Sequence, residues 1–256
     1  MKAVSSQRSA VSKFFALAFI VLSFVSIGFA QDPGRASLAS QVAQVKEFDV
    51  NGLKVLVKRR PLSPTVSAGL FIRGGVKNVS AQNAGIENFM LSAMTEGSKS
   101  FPRETLRREL ARTGSSIASS AGYDFSVISL GSTRQNFDRS WDIFTDIVLN
   151  PAFAAADINL AKDRILTSLR DDTDDPDGYL QVLQNKVIYA NHPYGNDPRG
   201  TVETVSKFTA EDLRAYHQKT MQTSQLLLVI VGDLDADDLQ KRITDAFGKL
   251  PKGAYK

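Results

Sequence analysis

The stretch GIENFMLSAMTEGS, Gly85 to Ser98, has the spacing of a short amphipathic helix with a polar stripe beside its apolar face. Ile86, Phe89, Met90, Ala93 and Met94 fall at i, i+3, i+4, i+7 and i+8 and define a core face; Asn88, Leu91 and Ser92 make the neighbouring stripe. Two metal ligands on one helix face sit three or four residues apart. A catalytic zinc takes three protein donors, usually imidazole or carboxylate, and its attacking water needs a base within hydrogen-bond reach. The i, i+4 pairs here are Ala84 with Asn88, Glu87 with Leu91, Asn88 with Ser92, and Ser92 with Glu96, and none supplies two such donors. The chain has two histidines, His192 in HPYG and His217 in AYHQKT, neither with a second ligand at suitable spacing on its own element. The expected cofactor content is therefore none.

Other candidates for chemistry have plainer explanations. The acidic turn RDDTDDPDG lacks the closing glutamate of a calcium loop and puts Pro176 where a ligand or glycine would be wanted, so helix capping explains it better. His192 and His217 are expected to be structural or solvent-facing, and no Gly-x-Ser-x-Gly elbow occurs for a serine nucleophile. Asn78 in NVS fits a glycosylation sequon, which a bacterial-type leader makes idle. Arg103, Arg107, Arg108 and Arg112 are expected on the solvated side of a helix whose Leu106 and Leu110 face the core.

The elements that position these residues can be read in order. KEFDVNGLKVLVKRR reads as two strands about Asn51-Gly52, a dipeptide suited to a tight hairpin because both residues tolerate positive φ. TVSAGLFIR is a third strand. Phe101 to Arg112 is a helix ending at Gly114, SSIASSAGYDFSVISLGS alternates as one long strand or two, and Asn136 to Leu149 is a helix stopped by Asn150-Pro151. Ala155 to Thr173 is a longer helix; Asp175 then caps a helix with Pro176 at its first position. Thr209 with Asp212 makes a capping box, SQLLLVIVGD is a strand, and Asp235 caps a last helix with Leu239, Ile243 and Phe247 on one face. The fold class is α+β, an antiparallel-leaning sheet with helices packed on one side. The domain is expected over residues 46–251, with 252–256 as the start of a connection or tail.

Several separated landmarks, in order, resemble the insulinase and pitrilysin family of zinc metallopeptidases: NGLKVLV, GGVKN, AGIENFMLSAMTEGS, LNPAF, DDPD, HPYG followed by GT, and VIVGDLD. The family's signature is an inverted His-x-x-Glu-His on a helix. The resemblance places its first zinc histidine at Asn88, its catalytic glutamate at Leu91, its second histidine at Ser92 and its distal glutamate ligand at Ser168, so all four positions are substituted. It also implies one half of a two-half architecture, and a peptide-binding edge strand at Ser116, Ile117, Ala118, Ser119 and Ser120, whose small side chains let another backbone approach. Packing of the same small residues under a neighbouring helix is the other reading of that strand.

Residues 1–30 combine Lys2, Arg8 and Lys13 with an apolar run and the small residues Gly28 and Ala30, the pattern of a cleaved secretory leader whose run is too short to span a membrane. Residues 31–45 read as a loose lead-in. Those three cations are part of the 31 basic residues; without them 28 face 27 acidic ones, and nothing calls for nucleic acid. The absence of cysteine in a chain of 256 residues excludes a disulfide framework, a thiolate zinc site and a lipid-bearing junction cysteine. The expectation is a periplasmic or secreted metallopeptidase homologue, inactive by itself, that binds extended peptides beside a catalytic peptidase subunit or second half-domain, with no stable membrane span after leader cleavage. Two alternatives remain: an active zinc endopeptidase with unrecognised ligands, and a truncated remnant without activity.

Overall fold

A computed structural model describes residues 44–255; the expected leader and nearly all of the lead-in lie outside the described residues. Six strands form one mixed sheet: β1 (Val45–Val50), β2 (Leu53–Arg59), β3 (Thr65–Arg73), β4 (Ser116–Ser120), β5 (Phe125–Thr133) and β6 (Leu226–Gly232), in the order β1-β2-β6-β3-β5-β4. Only the β2–β6 ladder is parallel. The β1–β2 hairpin turns at Asn51 (φ 53°) and Gly52 (φ 92°), the left-handed pair that this dipeptide favours. Asn51 also donates through Nδ2 to the Leu250 carbonyl at 2.9 Å, tying the turn to the far end of the chain.

Burial alternates along each inner strand with period two. Val66, Ala68, Leu70 and Ile72 of β3, and Leu226, Leu228 and Ile230 of β6, are buried against the helices. Their neighbours Phe71, Leu227, Val229 and Val231 lie on the other face and are only half-buried. The sheet is therefore covered on one side, and its uncovered side is apolar rather than polar, unlike a sheet face made to meet water.

The covering helices are α1 (Ile86–Met94), α2 (Arg103–Thr113), α3 (Phe137–Leu149), α4 (Ala155–Asp174), α5 (Pro176–Ile188), α6 (Val202–Lys207), α7 (Ala210–Thr220) and α8 (Ala236–Phe247). Their ends follow the capping residues: Gly114 closes α2 with φ 61°, Asp175 accepts from the Asp177 and Gly178 amides, Thr209 and Asp212 form a reciprocal box, and Asp235 caps α8. Trp141 of α3 stacks within 5.8 Å of Phe137, 5.7 Å of Phe144 and 6.2 Å of Phe247, joining α3 to α8 beneath the sheet. SSIASSAGYDFSVISLGS resolves into two strands because Ala121 to Asp124 turn between β4 and β5.

The arginine cluster departs from expectation. Arg108 and Arg112 keep to the outer side of α2, but Arg103 turns inward, its side chain 24% exposed, to Glu96 at 3.2 Å and Asp157 at 3.6 Å, and Arg107 reaches Glu96 at 3.8 Å. Periodicity placed these arginines on a face, whereas carboxylates on α4 and just after α1 draw two of them back over the protein. No helix among the described residues is long and apolar enough to cross a membrane.

Candidate functional site

Helix α1 starts at Gly85, in the left-handed region at φ 90°, where the chain runs against residues 199–200. A Cβ on Gly85 would meet the Arg199 carbonyl at 2.5 Å, and one on Gly200 (φ 85°) would meet the Ala84 carbonyl at 2.5 Å. The two glycines are needed as a pair for this approach. Thr204 Oγ1 donates to the same Ala84 carbonyl at 2.8 Å, so α6 fixes the start of α1.

Seven of the nine residues of α1 are buried. Leu91 is among them at 1% exposure, which corrects its assignment to the polar stripe: with Glu87 and Met94 it belongs to the core side. The stripe that remains is Asn88 and Ser92, both half-buried and one turn apart. Ser168 is exposed on α4; the α4 residues that share a cavity with Ser92 are Ala161, Arg164 and Ile165. The structure thus brings Ser92 to α4 but does not bring Ser168 into that cavity.

The donor set at these positions does not match zinc. Asn88 offers a neutral carboxamide, Ser92 a neutral hydroxyl, and Leu91 no donor or base at all. No step of hydrolysis can be derived through a metal held by these side chains.

The edge strand meets the same place. Ser119 of β4 lines the 230 Å³ cavity with Ser92 of α1, Thr95 and Glu96 just after it, and the three α4 residues. β4 pairs only with β5 among the described strands, so its outer edge carries unpaired backbone groups. Ser116, Ala118 and Ser120 are exposed, and Ile117 and Ser119 half-buried. One guanidinium lines this cavity: Arg164 pairs with Glu96 Oε1, while Glu96 Oε2 faces Arg103 and Arg107 from outside the lining.

One buried carboxylate escaped the sequence reading. Glu87, 4% exposed, accepts from Ser126 Oγ and from Tyr216 Oη, the latter at 2.7 Å. Burial raises its pKa above the ordinary value, against the lowering effect of both hydrogen bonds. Its position on an otherwise apolar face was the available signal; its partners are remote in sequence and carry none. The other candidates have structural roles. His217 Nε2 donates to the Val148 carbonyl at 2.8 Å, and burial lowers its pKa. His192 Nδ1 accepts from the Tyr194 amide at 3.2 Å. Asn78 Nδ2 donates to the Arg73 carbonyl at 2.9 Å, and Asp172 of the acidic turn pairs with Arg199 at 2.6 Å.

The sequence model of insulinase (peptidase family M16) matches residues 54–201, more than half of the chain, and that of the peptidase M16 inactive domain matches residues 207–256. An uncharacterized zinc protease of Mycobacterium leprae is 21% identical over 197 residues, 77% of this chain and 44% of that protein. The non-peptidase homolog YmxG of Helicobacter pylori is 23% identical over 215 residues, 83% of this chain and 50% of that protein. Among solved structures, a peptidase M16 inactive domain from Pseudomonas fluorescens superposes with TM-score 0.76 at 22% identity, covering 83% of this chain and 52% of that one. The periplasmic protease PqqL from Escherichia coli superposes with TM-score 0.73 at 20% identity, covering 82% of this chain and 24% of that one. The chain spans about half the length of the curated relatives it matches. It belongs to the insulinase family, peptidase family M16.

Proposed function

We propose that this chain is a non-catalytic M16 half-domain that holds extended peptides along β4 and works beside a catalytic peptidase subunit or second half-domain. The observation that carries the reading is the donor set on α1: a carboxamide, an isobutyl group and a hydroxyl at the positions where the family sequence has two zinc histidines and the catalytic glutamate, on a scaffold otherwise retained. The bare edge of β4 beside that helix supports the peptide part, since strand addition takes its affinity from main-chain hydrogen bonds and tolerates small side chains. The half-buried apolar face of the sheet, with Phe71, Leu227, Val229 and Val231, supports a second half-domain as cover. The leader-like residues 1–30 and the periplasmic location of PqqL support a periplasmic or secreted setting.

The test is metal quantification on the purified protein, run beside peptide cleavage with and without chelator and co-purification with a catalytic M16 subunit. The expected result is substoichiometric zinc, no cleavage by the chain alone, and a stable complex. Stoichiometric zinc with chelator-sensitive cleavage would overturn the proposal in favour of an active endopeptidase with other ligands. No complex and no peptide binding would leave a remnant without function.

A further inference from the structure

The loop Leu149-Asn150-Pro151-Ala152-Phe153 ends α3 and leads the chain into α4. Pro151 cannot continue the helix, and two main-chain bonds pin the loop: the Lys99 amide donates to the Asn150 carbonyl at 2.9 Å, and the Ala152 amide to the Gly97 carbonyl at 3.1 Å. Phe153 is held between them and α4 at φ 45°, in the left-handed region that a bulky residue rarely adopts. It is buried, its ring lies edge-on to His217 at 5.9 Å, and its carbonyl accepts from Arg214 Nη2 at 3.1 Å. Such strain persists only where surrounding contacts fix it, and it gathers at ligand sites.

Beside this loop is a cavity of about 540 Å³, bounded also by α7 and by Leu250 and Pro251 after α8. None of its lining residues borders the cavity at Ser119. Its deeper part is apolar: Pro151, Phe153 and Met221 are buried and Leu149 is half-buried. Its polar residues stand at the opening, where Lys99, Arg214 and Gln218 are exposed. Among the described residues no hydrogen bond or ion pair engages Lys99 Nζ or the Gln218 carboxamide. Arg214 has one acidic neighbour, Glu211 at 3.5 Å, which is 82% exposed, and a solvated pair of that kind is weak. No Asp or Glu is among the described residues of the lining. Asp146, one turn before Asn150, is already occupied by Ser98 Oγ, the Ser100 amide and Asn150 Nδ2. Burial keeps the pKa of His217 below its ordinary value, so at pH 7 its ring is a neutral wall.

An apolar floor under two cations and a carboxamide, with no acid to balance them, fits one kind of guest. We propose that this cavity binds a carboxylate carried on an apolar body, with the carboxylate at Lys99 and Arg214 and the body over Phe153 and Met221. A single screened surface cation attracts an anion only weakly; two of them above a surface that removes apolar groups from water make a selective site. The same chemistry belongs to the head of a medium-chain fatty acid and to the free C-terminus of a peptide with an apolar last residue. The site does not depend on β4 or on the positions of the lost zinc ligands.

The experiment is isothermal titration calorimetry on the full chain with octanoate, octanol and octylamine, and with the peptide acetyl-Ala-Ala-Leu bearing a free or an amidated C-terminus. Octanoate, the free-acid peptide or both should bind about tenfold or more tighter than the neutral counterpart. Lys99→Glu should remove that difference and Lys99→Arg should keep it, while Lys241→Glu, on α8 and outside the cavity, should leave it unchanged. A diazirine analogue of whichever acid binds should crosslink the unmutated protein within residues 149–153 or 214–221, a result independent of whether the variants fold. Preference for octanoate alone supports the site with an amphiphile as guest, and preference for the peptide alone supports it with a chain terminus. Equal binding of acid and neutral forms, tighter binding of octylamine, a preference that survives Lys99→Glu, crosslinks elsewhere, or no binding at all overturns it.

Discussion

Helices α1 and α5 each border a cavity along α4 and obey opposite rules. Seven of nine residues of α1 are buried, including a carboxylate, whereas none of the thirteen in α5 is, although α5 carries Leu180, Leu183, Val187 and Ile188. Burial of an apolar side chain is worth about 1.5–3 kcal/mol, so α1 is held by packing and α5 by its Asp175 cap and the pairing of its neighbours. Asn88 and Ser92 can vary without loss of the helix, because the core face and the polar stripe answer to different constraints.

The largest expected effect is on α1. Phe89→Ala, at a site with no exposure and a tilted ring contact to Phe208 at 6.4 Å, should cost about 3–5 kcal/mol in urea unfolding. Next, Leu91→Glu, which puts a carboxylate where the resemblance places the family's glutamate, should destabilise by ~3 kcal/mol at neutral pH, because it buries a charge without a partner. Tolerance of that change would mean that position 91 belongs to an open site and not to the core.

A smaller effect is expected at Glu87. Its folded pKa lies above the ordinary 4.5 because burial disfavours the anion, so the native state holds the proton more tightly than the unfolded chain. Stability should therefore fall as pH rises from about 4.5 through the raised folded value, and Glu87→Gln should flatten that part of the profile of unfolding midpoints. The smallest effect is on α5: Leu183→Ala, 40% exposed, should change unfolding by less than about 0.5 kcal/mol. A loss of several kcal/mol there would erase the contrast between the two helices.

Much of this fold is visible in period and punctuation. Asn51-Gly52, Asp175-Pro176, Thr209 with Asp212, and Asp235 mark turns and helix starts that local chemistry decides. The sheet order is not visible, because β6 inserts between β2 and β3 through pairings such as Val55 with Leu228, which no local pattern encodes. The same limit applied at the site. The substitutions at Asn88 and Ser92 are plain in the sequence, but Leu91's burial, Glu87's hydroxyl partners and Arg103's inward turn depend on which elements pack together. The exposure of α5 is equally hidden, since its mix of apolar and polar residues resembles that of a packed helix.

The position of β6 also governs when the molecule can assemble. Strands β1 and β2 can form their hairpin early, and β3 can meet β5, but the two pieces share no ladder until Leu226–Gly232 is available to be wedged between them. A sheet closed by one of its latest strands folds through distant contacts and hence slowly. Until ribosomal synthesis has passed residue 232, the six-stranded sheet cannot close.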